Sequence, residues 1–379
     1  MTADFRALFP ITERLIYLNH AAVSPLPSTT IAATEAQLRD VFENGSLHYR
    51  SWLSTKEKAR QLLANLLGAR PEQVAFVRNT SDALSTVANG LKWRPGDNIV
   101  TFRREFPSNI YPWLRIRDTL DVEVRMCEER NGRVALDQLL DLVDEHTRVI
   151  AISQVQFASG FRADLPRLAE AAKRRDALLV VDVIQALGVI PTNVEDEGID
   201  IAAGAGHKWL LSPEGVGYLY MSDRARERVE PTLVGWISVQ NPEDYDNFEQ
   251  PWNRGTLAWE TGTGPASLFH GFKASLDLLA AIGTAAIASY LEQLTDYLCE
   301  QLEQTRYEVI SSRAKGEKSQ IVCIKHRHGL TSMDLYRRLA EQRIITAPRG
   351  ERLRIAPHFY NNHADIDRLI AALRGFDTV

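Results

Sequence analysis

The chain has little cysteine: Cys127, Cys299 and Cys323 are the only three, and they form no CxxC pair. An odd, unpaired set is no disulfide framework and favours a reducing, cytoplasmic setting. Long hydrophobic runs are also missing, and none approaches the roughly 20 residues of a membrane helix. The N-terminal stretch "MTADFRALFPITERL" mixes acids among its apolar residues and lacks a signal-peptide core. Basic residues are not in surplus, since 44 Lys and Arg against 49 Asp and Glu leave a net charge of −5. That removes the electrostatic case for nucleic acid or an anionic membrane as a partner. Internal repeats, low-complexity tracts and coiled-coil heptads are absent. So is a phosphate loop: "GAGHK" is followed by Trp209 where Ser or Thr is required, and it supplies no GxGxxG. What is left is the composition of a soluble intracellular enzyme, 45% hydrophobic and 25% charged. Its 379 residues suffice for two domains.

From about residue 55 to 220, β-rich runs alternate with helical patterns. "QVAFVRN", "DNIVTF", "RVIAISQVQF", "ALLVVDVIQ" and "GYLYM" read as strands. "SDALSTVANGL" has Leu84, Val87, Ala88 and Leu91 on one helical face, and "DLPRLAEAAKRRD" is a second helix. Near-continuous Val, Ile and Leu in "LLVVDVI" predicts a strand covered on both faces. The alternation predicts a layered α/β domain. After residue 265 two long helices follow, then a shorter β/α pattern with Thr331 and Asp334 as a capping box. We therefore expect a large domain over 18–264 and a small α+β domain from 1–17 and 265–379, including linking helices.

Lys208 stands among small residues ahead of a Gly-rich strand, a setting that suits an amine nucleophile as well as a plain loop lysine. Asp182 closes an otherwise apolar strand, at the edge where α/β folds bind ligands. A carboxylate there can cap a helix or keep a ring nitrogen protonated. Gln185, three residues on, can meet a ring hydroxyl. Thr80, Ser81 and Asp82 lead from a strand into a helix, where free N–H groups and hydroxyls make an anion site. An amine nucleophile, a buried carboxylate and a phosphate cradle together describe a pyridoxal 5'-phosphate (PLP) site, with no metal. The paired His326 and His328 lack a third ligand nearby.

Six motifs now carry a resemblance: "YLNHAAVSPLP", "RNTSDAL", "VVDVIQALG", "GHKWLLSPEGVGYLY", "WETGTGP" and "LRIAPHFYNN". In this order, with Asp182 and Lys208 separated by 208 − 182 = 26 residues, the chain resembles the class V aminotransferase family of fold-type I PLP enzymes. That family includes cysteine desulfurases and C–S lyases. The resemblance implies a three-layer α/β/α domain with a small α+β domain, and a homodimer with active sites at its interface. It implies that Lys208 holds the cofactor and shuttles the α-proton, and that Asp182 pairs with the pyridinium. Gln185 would contact the phenolic oxygen, while Thr80, Ser81 and His207 hold the phosphate and Thr263 reaches the phosphate of the neighbouring subunit. Arg354 would take the substrate α-carboxylate, with His20 beside it.

The departures bear on the reaction. No cysteine precedes Arg354 where a desulfurase carries its nucleophile, and Cys323 reads as a buried structural thiol. The ring-stacking histidine is missing, which leaves Phe106 or Pro107 to cover the ring. Ala205 replaces a phosphate-binding serine, and Phe157 replaces an asparagine near the carboxylate. Trp236 and Tyr360 would extend an apolar wall fitting a substrate larger than alanine or cysteine. The expectation is an aminotransferase acting on an amino acid, with β-elimination by a C–S lyase next, then an epimerase. Retention of Lys208, Asp182 and Arg354 speaks against a non-enzymatic effector-binding module.

Overall fold

The computed structural model describes residues 5–376. Seven strands form its main sheet: β1 (Val74–Val77), β2 (Asn98–Phe102), β3 (Glu123–Cys127), β4 (Thr147–Ser153), β5 (Leu178–Asp182), β6 (Ile201–Ala205) and β7 (Gly217–Met221). Their order across the sheet is β1-β7-β6-β5-β4-β2-β3. All run in one direction except β7, which is antiparallel to both neighbours. Every residue of β2, β5, β6 and β7 is buried, as strands covered on both faces require.

The cover comes from helices α1 (Ser28–Asn44), α2 (Tyr49–Leu67), α3 (Thr80–Gly90), α4 (Tyr111–Thr119), α5 (Leu165–Arg174) and α6 (Ala266–Ile282). Leu84 and Val87 of α3 and Trp113 of α4 pack on one face of the sheet. Leu63 and Leu67 of α2 and Phe269, Phe272, Leu276 and Leu279 of α6 pack on the other. Each such buried side chain contributes about 1.5–3 kcal/mol relative to exposure. The sequence reading grouped α6 with the small domain, whereas its packing belongs to the sheet. The chain changes allegiance at Gly283, where α6 and α7 (Thr284–Leu302) meet at 75°.

Beyond that bend a second core gathers Leu294, Leu298 and Leu302 of α7 with Val322, Ile324, Leu353 and Ile355. Its four-stranded antiparallel sheet comprises β8 (Tyr307–Val309), β9 (Val322–His326), β10 (Ala347–Arg349) and β11 (Arg352–Ile355), in the order β8-β9-β11-β10. Helices α8 (Ser332–Glu341) and α9 (His363–Phe376) cover it. The expected box at the start of α8 is formed, with Thr331 and Asp334 bonding each other's backbone N–H. The N-terminal segment joins this unit, since Ile16 and Tyr17 run parallel to Ile344 and Ile345.

One strand is shorter than its sequence suggested. β4 keeps its ladder bond to β5 through Gln154 N–H and the carbonyl of Asp182, but stops at Ser153 on its other side, where Glu105 captures the N–H and hydroxyl of Ser153. Because β1, β4, β5 and β6 run the same way, their carboxyl ends share one edge. Asn79, Phe157, Asp182 and Lys208 all follow from it.

Candidate active site

β6 ends at Ala205, and the next residues form a closed loop. Gly206 N–H bonds Val216 O at 2.9 Å, Leu211 N–H bonds Lys208 O at 3.1 Å, and Ser212 N–H bonds Gly206 O at 3.0 Å. Leu211 is held at φ +55, a costly conformation that persists only where its surroundings enforce it. The Ser275 hydroxyl supplies one restraint, donating to Leu211 O at 2.7 Å. Lys208 emerges from this loop 6% exposed, its ammonium 5.3 Å from the Phe106 ring centroid. Burial pushes the amine down to about 8; Asp182 opposes the change, and Arg354 and Arg349 add to it. Such an amine has an appreciable neutral fraction near pH 7, as a nucleophile needs.

Asp182 lies at the end of β5, 1% exposed. Its side chain accepts one hydrogen bond among the described residues, from Ile184 N–H at 2.9 Å. Burial pushes the carboxyl up to about 6, against the pull of Lys208. A buried carboxylate so thinly bonded calls for a cationic or N–H partner in the cavity. A protonated ring nitrogen is such a partner.

The start of α3 supplies the opposite pole. Asn79 caps it by accepting Asp82 N–H at 2.9 Å, and Ser81 and Ser108 bond each other through their hydroxyls at 2.7 Å. The Thr80 hydroxyl is buried without a partner. Free N–H groups, the helix dipole and an unsatisfied hydroxyl fit a phosphate. Gly217 lets β7 pass directly behind: a Cβ there would lie 2.6 Å from both Cα and N of Asn79. His207 is also on the wall; burial and Lys208 lower its pKa, favouring neutral imidazole.

Arg354 closes the small-domain side, 1% exposed. Its Nη1 donates to Phe157 O at 3.0 Å and its Nη2 to Asn19 Oδ1 at 3.2 Å, while Nε is buried without a partner. Burial, with Arg349 close by, pushes it down to about 9, still cationic at neutral pH. One cavity of about 300 Å³ brings together Thr80, Ser81, Phe106, Asp182, Gln185, His207, Lys208 and Arg354. Phe106 rather than Pro107 is on its wall, with its ring edge to face with Phe157 at 5.2 Å and 81°.

Several expectations need correction. His20 does not reach the cavity: it is fully buried, with Nδ1 2.7 Å from Ala356 O and Nε2 2.7 Å from Tyr360 Oη. Burial takes its pKa down to about 3, so the ring is a neutral core bridge, and its neighbours Ala21, Ala22 and Val23 line the cavity instead. Tyr360 is also internal, stacked on Phe9 at 3.9 Å. Trp236 is 44% exposed, beside Tyr245 and off the cavity wall. Gln185 lines the cavity, but its oxygen accepts the Trp209 indole N–H at 2.8 Å and its amide nitrogen donates to Ala21 O at 3.0 Å. Only its second amide hydrogen remains for a ring oxygen. Thr263 is not on the cavity wall: it lines a separate pocket with Lys56, Phe76 and Glu260, and its expected role is toward the neighbouring subunit's phosphate. His326 is engaged through Nδ1 by the N–H groups of His328 and Leu330.

Sequence reasoning missed Arg349, which shares the cavity wall, and Glu105, buried behind it. For Arg349 a signal existed: Gly350 between two Arg-bearing strands marks a hairpin that sets residues two apart on one face. For Glu105 there was none, because an acid beside Phe106 reads as a solvated loop residue.

A twisted α/β sheet with an amine, a carboxylate and an anion cradle at one edge defines a fold-type I PLP site. The family model for aminotransferase class-V matches residues 16–369, and the chain belongs to that family. A probable cysteine desulfurase of Methanothermobacter thermautotrophicus is 31% identical over 78% of this chain and 74% of its own length. An uncharacterized aminotransferase, YcbU, of Bacillus subtilis is 25% identical over 97% and 96%. Two structures of the protein C-DES match with TM-scores of 0.91 and 0.89, at 23% and 24% identity. Each covers 97% of this chain, and the matches span 98% and 99% of theirs. One is a mutant with glycine covalently linked to the PLP cofactor; in the other, the cystine C–S lyase is in complex with its product cysteine persulfide. The chain is accordingly a PLP-dependent class V enzyme.

Proposed function

We propose that the enzyme is an aminotransferase acting on the α-amino group of an amino acid. The carrying observation is that Lys208 is the cavity's buried amine of lowered pKa, set between Asp182 and Arg354. One base that both removes the α-proton and returns it to the cofactor carbon suffices for transamination. Bound PLP supplies the electron sink at the substrate α-carbon. Arg354 binds the α-carboxylate with its free guanidinium face, and Asp182 keeps the ring nitrogen protonated. α3 and Ser81 hold the phosphate, and Phe106 excludes water from one ring face.

The likeness to a probable cysteine desulfurase favours sulfur transfer to an enzyme cysteine, but none of the three thiols is on the cavity wall, which weighs against that reading. Cys323 is fully buried in β9 and burial pushes it up to about 11. β-Elimination is the second reading, favoured by the likeness to a C–S lyase and by its independence of such a thiol. A homodimer is part of the proposal. Phe42, Tyr245, Phe248 and Trp252 are 88, 69, 91 and 62% exposed, apolar side chains that a second copy would cover. Thr263 would then act across the interface.

The test is the visible spectrum of the PLP-loaded protein during addition of single amino acids. Conversion to a pyridoxamine spectrum supports transamination. An unchanged band with pyruvate and ammonia accumulating selects the lyase. Absence of any cofactor band, with PLP supplied, would remove the whole reading.

A further inference from the structure

Three arginines share one face of the small-domain sheet. Ala347 faces Arg354 and Arg349 faces Arg352 across the β10–β11 hairpin. Cross-strand partners and residues two apart point the same way, so Arg349, Arg352 and Arg354 stand together. Arg352 is neutralised by a two-point ion pair with Glu129. Arg349 and Arg354 have no ion pair among the described residues, and both line the cavity. Arg349 spends one donor on Pro348 O at 2.7 Å, which leaves most of its fork uncommitted.

The charges on the wall do not balance. Lys208, Arg349 and Arg354 are cationic residues, and Asp182 is the only acidic one. Asp182 is taken by the cofactor ring in the reading above, and the phosphate belongs to α3 on the other domain. A substrate α-carboxylate then matches Arg354 and leaves Arg349 unmatched. A guanidinium held out of water without an anion is costly; here Arg354 is buried and Arg349 half-buried, and neither has a carboxylate partner among the described residues.

We propose that Arg349 is a specificity residue which binds a second anionic group on the substrate, so that the enzyme takes a dicarboxylic amino acid. This rests on the reading of the cavity as an amino-acid site, and names its substrate class. The neutral parts of the wall, Phe106 and Phe157, then flank the carbon chain between two fixed carboxylates. A bidentate guanidinium–carboxylate pair gives orientation as well as affinity.

The test is calorimetric titration of the PLP-loaded protein at low ionic strength with succinate and glutarate, against butyrate and pentanoate. The diacids should bind about tenfold tighter or better than monoacids of equal length. Arg349→Gln should erase that preference and leave monoacid binding within about twofold, while Arg354→Gln weakens both classes. Equal binding of diacids and monoacids by the wild type would overturn the proposal, and that comparison needs no variant. An intact preference in Arg349→Gln would overturn it too. So would a loss of PLP affinity in its place, which would assign Arg349 to the phosphate. Should Arg349→Gln not fold, Arg349→Lys should lower the diacid preference and keep its direction; an unchanged preference would refute the role of the fork. If the protein shows no cofactor band, the aminotransferase reading fails, whereas the diacid preference is still read from the heats.

Discussion

Glu105 offers the sharpest quantitative test of the electrostatics around the site. It is 4% exposed, and it accepts Ser153 N–H at 2.8 Å and Gln156 Nε2–H at 2.6 Å, with the Ser153 hydroxyl on its other oxygen. No cation accompanies it among those partners. Burial pushes its carboxyl from 4.5 up to about 7; its hydrogen bonds resist that, and Asp182 adds to it. A carboxyl raised on folding binds its proton more tightly in the native state. Its contribution is therefore complete below about pH 4.5 and is lost as pH rises through about 7. Some two and a half pH units at about 1.36 kcal/mol each make about 3 kcal/mol. Glu105→Gln keeps the shape and an acceptor for Ser153 N–H, but cannot ionise. Urea unfolding of both proteins at pH 5 and pH 8.5 should show the variant gaining about 2–3 kcal/mol on the wild type across that interval. A difference constant to within about 0.5 kcal/mol would refute the reading of Glu105 as a carboxyl raised by burial.

Other perturbations act on separate parts of the same construction. Gly217→Ala drives a Cβ into the Asn79 backbone, a clash of about 1–3 kcal/mol, and should weaken PLP binding about tenfold or more in a spectral titration. Lys208→Ala should abolish turnover in an amino-acid assay while PLP still binds noncovalently. Glu260→Gln strips the buried anion from Lys56 at 2.5 Å and Arg60 at 2.6 Å, and should cost about 3–5 kcal/mol in urea unfolding. Burial raises the Glu260 carboxyl, but Arg60 and Lys56 together outweigh it and hold its pKa below the usual value, so that contribution is present above the ordinary carboxylate range and fades as pH falls below it.

Much of the sheet was legible because two-sided burial writes itself as unbroken Val and Ile, as in β5, and because helices such as α3 keep their apolar faces in register. Antiparallel β7 was not legible. Its direction depends on the Gly206–Ser212 loop returning on itself, which local propensity does not encode. Strand ends were the other weak point: the apolar run at Ile150–Phe157 continues past Ser153, but a side chain from residue 105 ends the ladder there.

The site divides along a similar line. Lys208, Asp182 and Ser81 lie within a few residues of strand ends, so pattern and position together pointed to them. His20 has the same kind of position, and there the inference failed. Its imidazole turns inward because Ala356 and Tyr360 offer two hydrogen bonds in a dry interior, a gain invisible without the partner residues 336 and 340 positions away. Arg349 is the converse case. In sequence it is one arginine among several. Only the Glu129 carboxylate on Arg352, together with the lack of any such partner on Arg349, turns its charge toward the cavity. A charge becomes informative once its neutralising partners are counted. At this site that count leaves one guanidinium more than a single α-carboxylate can satisfy.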